Sequence, residues 1–374
     1  MDVTKTYPVL SQELRKRNIP DVLATENCGC AITKEKWERE LRPQWLQLIL
    51  EHEYGKQPFY VEPEISTSIN AVTFAGKAVW ETVVFTFTVN GKSHSFPAQF
   101  ISPVGAKEVP FFIYLNFRPD IPDRYLPVEE LIDNGFGIFS VCYNDITMDN
   151  GDFSNGLAGL FEGEVREDDA TGKIGYWSYA ASRMMDYLIT RPEVDPDLIG
   201  IAGHSRLGKT ALLTGALDQR FAFVCSNNSG CSGAAISRYP SERGEKIEDI
   251  CKKFPYWFCP KYTVYIQNEQ ALPFDQHCLI AMIAPRAVFV GAAIEDLWAD
   301  NDNQFLSCVA ASKVWELYGS QGIITPDKLP ACGDVLTDGD VGFHLRAGTH
   351  YHSRTDWLIY MDAVKKFLAR KKSE

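Results

Sequence analysis

No run in this chain approaches the roughly 20 apolar residues that cross a bilayer, so a membrane span is not expected. Clustered basic charge is missing too. The 37 Lys and Arg are outnumbered by 49 Asp and Glu, leaving a formal charge of −12, which argues against a nucleic-acid partner. The one basic run, "KKFLARKKSE" at the end, reads as the solvated face of a terminal helix. The opening "MDVTKTYPVLSQELRKRN" has no apolar segment behind its charges, so no secretory leader is expected. The ten cysteines show no zinc-like pairing. Cys28 and Cys30 stand close, but no matching Cys/His pair follows, and they read as free thiols. Reduced thiols and no leader predict a cytoplasmic setting, and neither metal nor organic cofactor is expected. Internal repeats and low-complexity linkers are absent as well.

What is present is enough for a sizeable core: 45% hydrophobic and 12% aromatic residues. The 374 residues suit one large α/β domain or two ordinary ones. Residues 34–55 place Trp37, Leu41, Trp45, Leu48 and Ile49 at helical spacing. Phe85, Phe87 and Val89 alternate with threonines up to Asn90-Gly91, a hairpin signal. Beyond residue 104 the pattern becomes apolar strand, loop, helix, repeated. Strands are expected at 109–117, 135–145, 198–205, 221–230, 284–296 and 341–350, with helices at 176–190 and 355–371. Near-continuous apolar strands between helices imply a mostly parallel sheet covered on both faces, a three-layer sandwich. A hairpin leading into that sheet favours one domain over 1–374: a helical extension (1–60), a strand lead-in (61–103) and a core (104–374).

"IGIAGHSRLGKTALL" (199–213) runs from such a strand straight into a helix, with Ser205 at the junction. Taken alone, Gly203-His204-Ser205-Arg206-Leu207-Gly208 is best read as a serine capping a helix. It also fits a nucleophile elbow with one extra residue before the second glycine. The helix start would then favour developing negative charge beside the serine. A serine needs a base, and the base needs an acid to orient it. Both follow in the order acid, then histidine. Among Glu295, Asp296, Asp300 and Asp302, the short carboxylate of Asp296 at a strand turn is preferred, with Asp300 and Asp302 read as solvated loop charges. His350, just past Gly348 at the last strand's end, is preferred over His352, and His344 reads as a core residue.

"GHSRLGK" resembles the G-C-S-R-x-G-K elbow of the glucuronoyl esterases, carbohydrate esterase family 15, including its acetylxylan-esterase-like bacterial relatives. The resemblance continues through "DQRFAFVCSNNSGCSGAA", "GEKIEDICKKFPYWFCPKY", "LPFDQHCLIAMIAPRAVFV", "EDLWAD" and "RAGTHYHSRTDW", covering roughly residues 105–370. It implies an α/β-hydrolase fold and a Ser-His-acid esterase working through an acyl-enzyme, with Ser205 as nucleophile and His350 as base. Arg206, with backbone N–H groups near Ser205 and after "IYLNF", would hold the oxyanion. Lys209 and Glu245 would meet sugar hydroxyls, and Trp298 would line the sugar site. For Trp257, core packing remains an equal alternative. Two cations at a helix start, where the dipole disfavours them, argue for an anionic or developing-anion partner.

The family often carries its acid as glutamate in an E-S-G setting after the strand that follows the elbow helix. Here that stretch is Asn228-Ser229-Gly230, so Asp296 is expected to supply the charge. His204 stands where the family has cysteine. The expected substrate is a carbohydrate ester, either a glucuronate ester or an O-acetylated sugar. A dienelactone-type hydrolase, a peptidase or a non-catalytic binder of the same fold stay open.

Overall fold

The residues between the strands are long enough to form helices that cross back over the sheet, and the chain closes accordingly. A computed structural model describes residues 7–24, 32–163 and 165–371. Cys28, Cys30 and the last three residues of the basic tail lie outside the described residues. One sheet holds β1 (Glu64–Thr73), β2 (Ala78–Val89), β3 (Lys92–Pro103), β4 (Val109–Asn116), β5 (Gly137–Cys142), β6 (Val194–His204), β7 (Phe223–Asn227), β8 (Ala287–Ala293), β9 (Val335–Leu336) and β10 (Val341–Arg346). Their spatial order is β1-β2-β3-β5-β4-β6-β7-β8-β10-β9. The pairs β5/β4, β4/β6, β6/β7, β7/β8 and β8/β10 are parallel. The lead-in strands and β9 are antiparallel.

The hairpin forms where the sequence places it. Asn90 and Gly91 both adopt positive φ (50° and 76°), the two-residue turn whose twist matches its flanking strands, and Val89 pairs with Lys92. The lead-in and the core thus share one sheet.

Helices cover both faces. On one lie α1 (Pro8–Arg17), α2 (Arg42–Ile49), α3 (Lys173–Leu188), α4 (Arg206–Leu217) and α5 (Asn301–Ala311), whose apolar residues join one core with Phe85, Ile113, Ile201 and Val290. On the other, α6 (Arg354–Lys371) and the turn of helix at Val128–Asp133 bury Trp357, Tyr360 and Leu131 against Phe112, Phe223 and Phe289. The 34–54 helix is broken by π-helical turns at Trp37–Leu41 and Leu50–Tyr54, a feature that periodicity does not show. Its Trp37, Leu41, Ile49 and Tyr54 are buried in the larger core, as is Leu10 of α1. No helix among the described residues is long and apolar enough to cross a membrane.

Candidate active site

Ser205 sits between the end of β6 and the start of α4 with φ 58° and ψ −127°. That conformation is costly for a residue with a Cβ, and it is held by Ser205 N–H donating to Asn227 O (2.8 Å) on β7. Its neighbour Gly203 answers a second constraint. A Cβ there would lie 2.1 Å from Leu207 O, so only glycine lets α4 fold back this closely on its own strand. The serine is thereby raised at the carboxyl end of the parallel strands, the edge at which such sheets bind ligands.

Two neighbouring crossovers bring the other groups to the same edge. Past their last paired residues, β8 and β10 stay joined: Ile294 N–H donates to Arg346 O (2.9 Å) and Glu295 N–H to Gly348 O (3.1 Å). This carries the two loops upward together. Glu295 turns to solvent, whereas Asp296 is 6% exposed. His350 Nδ1 lies 2.5 Å from Asp296 Oδ2. The same oxygen accepts from Asn228 Nδ2 at 2.6 Å. Asn228 therefore clamps the Asp296 carboxylate from the β7 side. His352 is fully buried against the Tyr114 hydroxyl, and His344 Nε2 donates to the Asp356 carboxylate (2.8 Å) inside the core. Neither lines the cavity.

That cavity, of about 300 Å³, is lined by Ser205, Arg206, Lys209, Glu245, Asp296, Trp298 and His350 together with Asn228 and Trp257. All seven expected site residues meet there. Arg206 is held by Asp149, which also accepts from Trp257 Nε1 (2.6 Å) and the Tyr143 hydroxyl (3.0 Å). The guanidinium lies 4.6 Å from the Trp257 ring centre and 5.2 Å from that of Phe254. Those two rings stack at 4.0 Å. Its Nε–H has no protein partner. Trp257, 3% exposed, is therefore both packed and part of the site. Asp149 escaped the sequence reading because its loop carries no periodic or motif signal. Burial and the nearby Asp149 carboxylate push the Tyr143 phenol above its ordinary range, keeping it a neutral donor.

Lys209 departs from expectation. Its ammonium, 3% exposed at the side chain, donates to Ser229 O (2.6 Å) and Cys231 O and faces Glu245 at 3.5 Å. Its donors are engaged by the protein, and its effect is to place Glu245, whose N–H donates to Trp298 O (2.9 Å). Trp298 stands at the rim, 42% exposed. The Phe117 N–H, on the loop after β4, is turned to Asn116 Oδ1 (2.8 Å). Asp300 is not the solvated charge expected: 3% exposed, it accepts from Ser241 N–H and Asn303 Nδ2 (both 2.8 Å), while Asp302 is half-buried on α5.

A strained serine between strand and helix, at the rim of a mostly parallel sheet with a histidine–carboxylate pair on the following loops, defines an α/β-hydrolase. A family model described as "Glucuronyl esterase, fungi" matches residues 85–319. Carbohydrate esterase MZ0003 from an unknown prokaryotic organism is 30% identical, over 94% of this chain and 89% of its own. The solved glucuronoyl esterase from Solibacter usitatus is 30% identical at a TM-score of 0.86, covering 94% of this chain and 99% of the other. A promiscuous CE15 esterase from a marine bacterial metagenome is likewise 30% identical at 0.84, covering 93% and 96%. The chain belongs to the glucuronyl esterase family, carbohydrate esterase family 15, and is a carboxylic ester hydrolase.

Proposed function

We propose that this esterase cleaves esters of glucuronic acid through a Ser205-His350-Asp296 triad and an acyl-enzyme. The observation that carries this reading is the 2.5 Å contact of His350 Nδ1 with Asp296 in the cavity that Ser205 lines. With Nδ1–H donated to the carboxylate, the Nε2 of His350 is the free base. Ser205 Oγ attacks the ester carbonyl as Nε2 takes its proton, and Asp296 stabilises the imidazolium. Collapse expels the alcohol, protonated by His350. Water, deprotonated by the same nitrogen, then frees the glucuronate and the serine.

Arg206 is the charged donor at the oxyanion, held over Trp257 by Asp149 so that little reorganisation accompanies the reaction. Arg206→Ala lowers kcat by about 10²–10³ with little change in KM, the cost of losing one oxyanion donor. Steady-state kinetics check this, and a change confined to KM assigns Arg206 to substrate binding instead. Glu245 at the floor accepts from sugar hydroxyls and Trp298 offers a ring face at the rim. Lys209 acts from behind as the counter-charge.

Three ester classes test the substrate: methyl or benzyl glucuronate, acetylated xylo-oligosaccharides and p-nitrophenyl acetate. The glucuronate ester is expected to have a kcat/KM at least about tenfold above the acetyl esters, because a site with fixed polar groups discriminates against substrates that leave them unpaired. Preference for the acetylated sugars transfers the assignment to deacetylation. No turnover, with no fluorophosphonate label on Ser205, leaves a binding protein.

A further inference from the structure

His350 is fixed at one ring atom by Asp296, and its side chain is 43% exposed. A planar ring hung on one hydrogen bond can still swing, yet its Nε2 must face Ser205. On its protein side lies a second imidazole. His204, the last residue of β6, has its ring centre 4.4 Å from that of His350 at an interplanar angle of 44°. His204 is 1% exposed, and its Nδ1 meets Asn227 Oδ1 (2.7 Å), the residue paired with it on β7. A third imidazole follows. His352 lies nearly parallel to His204, 5.8 Å away at 22°. It meets the Tyr114 hydroxyl (3.1 Å) through Nδ1 and stacks on Trp357 (4.8 Å, 18°). Trp357, His352, His204 and His350 thus form a continuous column from the core beneath α6 to the mouth of the site. Residue 204 touches the histidine loop at both 350 and 352, so this column ties the elbow to that loop.

The column is also uncharged below its top. Burial holds His204 well below the ordinary imidazole value, with His350 acting in the same direction, and brings His352 to about 4. The titratable groups facing the pair are His350, Tyr114, Tyr125 (5.3 Å from the His204 ring), and Tyr360 (6.2 Å from the His352 ring) and Asp356 of α6. Across Asp356, His344 and Arg346 of β10 bond its carboxylate, both at 2.8 Å, so that charge is already matched. A neutral His204 spares His350 a like-charge neighbour as it becomes imidazolium.

We propose that His204 and His352 are positioning residues, a buried imidazole pair that holds the His350 ring in the plane from which Nε2 serves Ser205. The inference rests on His350 being the base. It separates two things that His204 supplies, a ring face toward His350 and a hydrogen bond to Asn227. His204→Phe keeps the ring and loses the bond, whereas His204→Asn keeps a polar partner for Asn227 and loses the ring. With p-nitrophenyl acetate and methyl glucuronate as probes, His204→Asn is expected to lose about 10–10² in kcat with KM within about twofold, the scale of a small misplacement of a reacting group. His204→Phe retains most of the parental kcat. In His204→Asn the acid limb of kcat/KM shifts, and the low-field proton NMR signal of His350 Nδ1–H broadens. His352→Ala added to His204→Asn costs little more, since members of one unit are not additive.

His204→Asn at parental kcat, His204→Phe worse than His204→Asn, or a kcat loss with pH profile and proton signal unchanged would each overturn the proposal. If His204→Asn does not fold, His352→Phe and His352→Asn carry the same comparison one ring lower. Absence of Ser205-dependent turnover in the parent enzyme defeats the esterase reading, whereas parental turnover with His204→Asn unimpaired defeats this inference alone.

Discussion

Ser205→Ala lowers kcat by about 10⁶, the scale seen when a serine hydrolase loses its nucleophile while its oxyanion donors and binding groups remain. Single-turnover hydrolysis of the glucuronate ester measures the loss, and the absence of fluorophosphonate adducts confirms which oxygen reacts. The fold is expected to persist, because Ser205 Oγ supports no element of the sheet. The backbone at this position leads to a companion result. With φ at 58°, both serine and alanine are strained, and glycine is not. Ser205→Gly is therefore as inactive as Ser205→Ala and melts higher, corresponding to about 1 kcal/mol, offset in part by the added freedom of its unfolded chain. Calorimetry reads the difference directly. Equal melting temperatures for the two variants would show that the elbow stores no strain.

That strain is one feature the sequence announces, because a strand cannot turn into a helix around "GHSRLG" without a close approach, and Gly203 is the residue that permits it. The parallel strands were legible for a related reason. Burial on both faces leaves near-continuous apolar runs such as "VPFFIYLN" and "AVFVGAA". Asn90-Gly91 likewise encodes its own turn.

What escaped depends on pairings between distant loops. Asp149 lies 57 positions from Arg206 on a segment with no pattern, and nothing local distinguishes it from any surface aspartate. The carbonyls that engage Lys209 belong to a backbone path through residues 229–231 that side-chain identity does not specify. Asp300 reads as a loop charge because the Ser241 N–H that it accepts from lies 59 positions away and meets it only after the chain folds. The histidines of the column are individually ordinary, and their relation is visible only in three dimensions.

Asp296→Asn lowers kcat by about 10⁴. In the parent, Asp296 Oδ2 takes both the His350 Nδ1–H and the Asn228 amide. An amide at 296 whose oxygen takes the Oδ2 place still accepts from both, but it carries no charge with which to stabilise the imidazolium. If its nitrogen faces His350 instead, the ring must keep its proton on Nε2, where it cannot act as base. A proximity of 2.6 Å between the 228 and 296 side chains then makes a second result informative. Asn228→Glu introduced into Asp296→Asn returns a carboxylate to the same pocket from the β7 side, the position at which the family's glutamate stands. The double variant is expected to recover at least about tenfold of the lost kcat, because charge beside the imidazolium matters more than the strand it comes from. Kinetics of the two single variants, the double variant and the parent complete the cycle. Near-parental turnover by Asp296→Asn alone would remove the carboxylate from the mechanism. A double variant no better than the single one would mean that the angle fixed by β8, and not charge alone, qualifies Asp296 for its task.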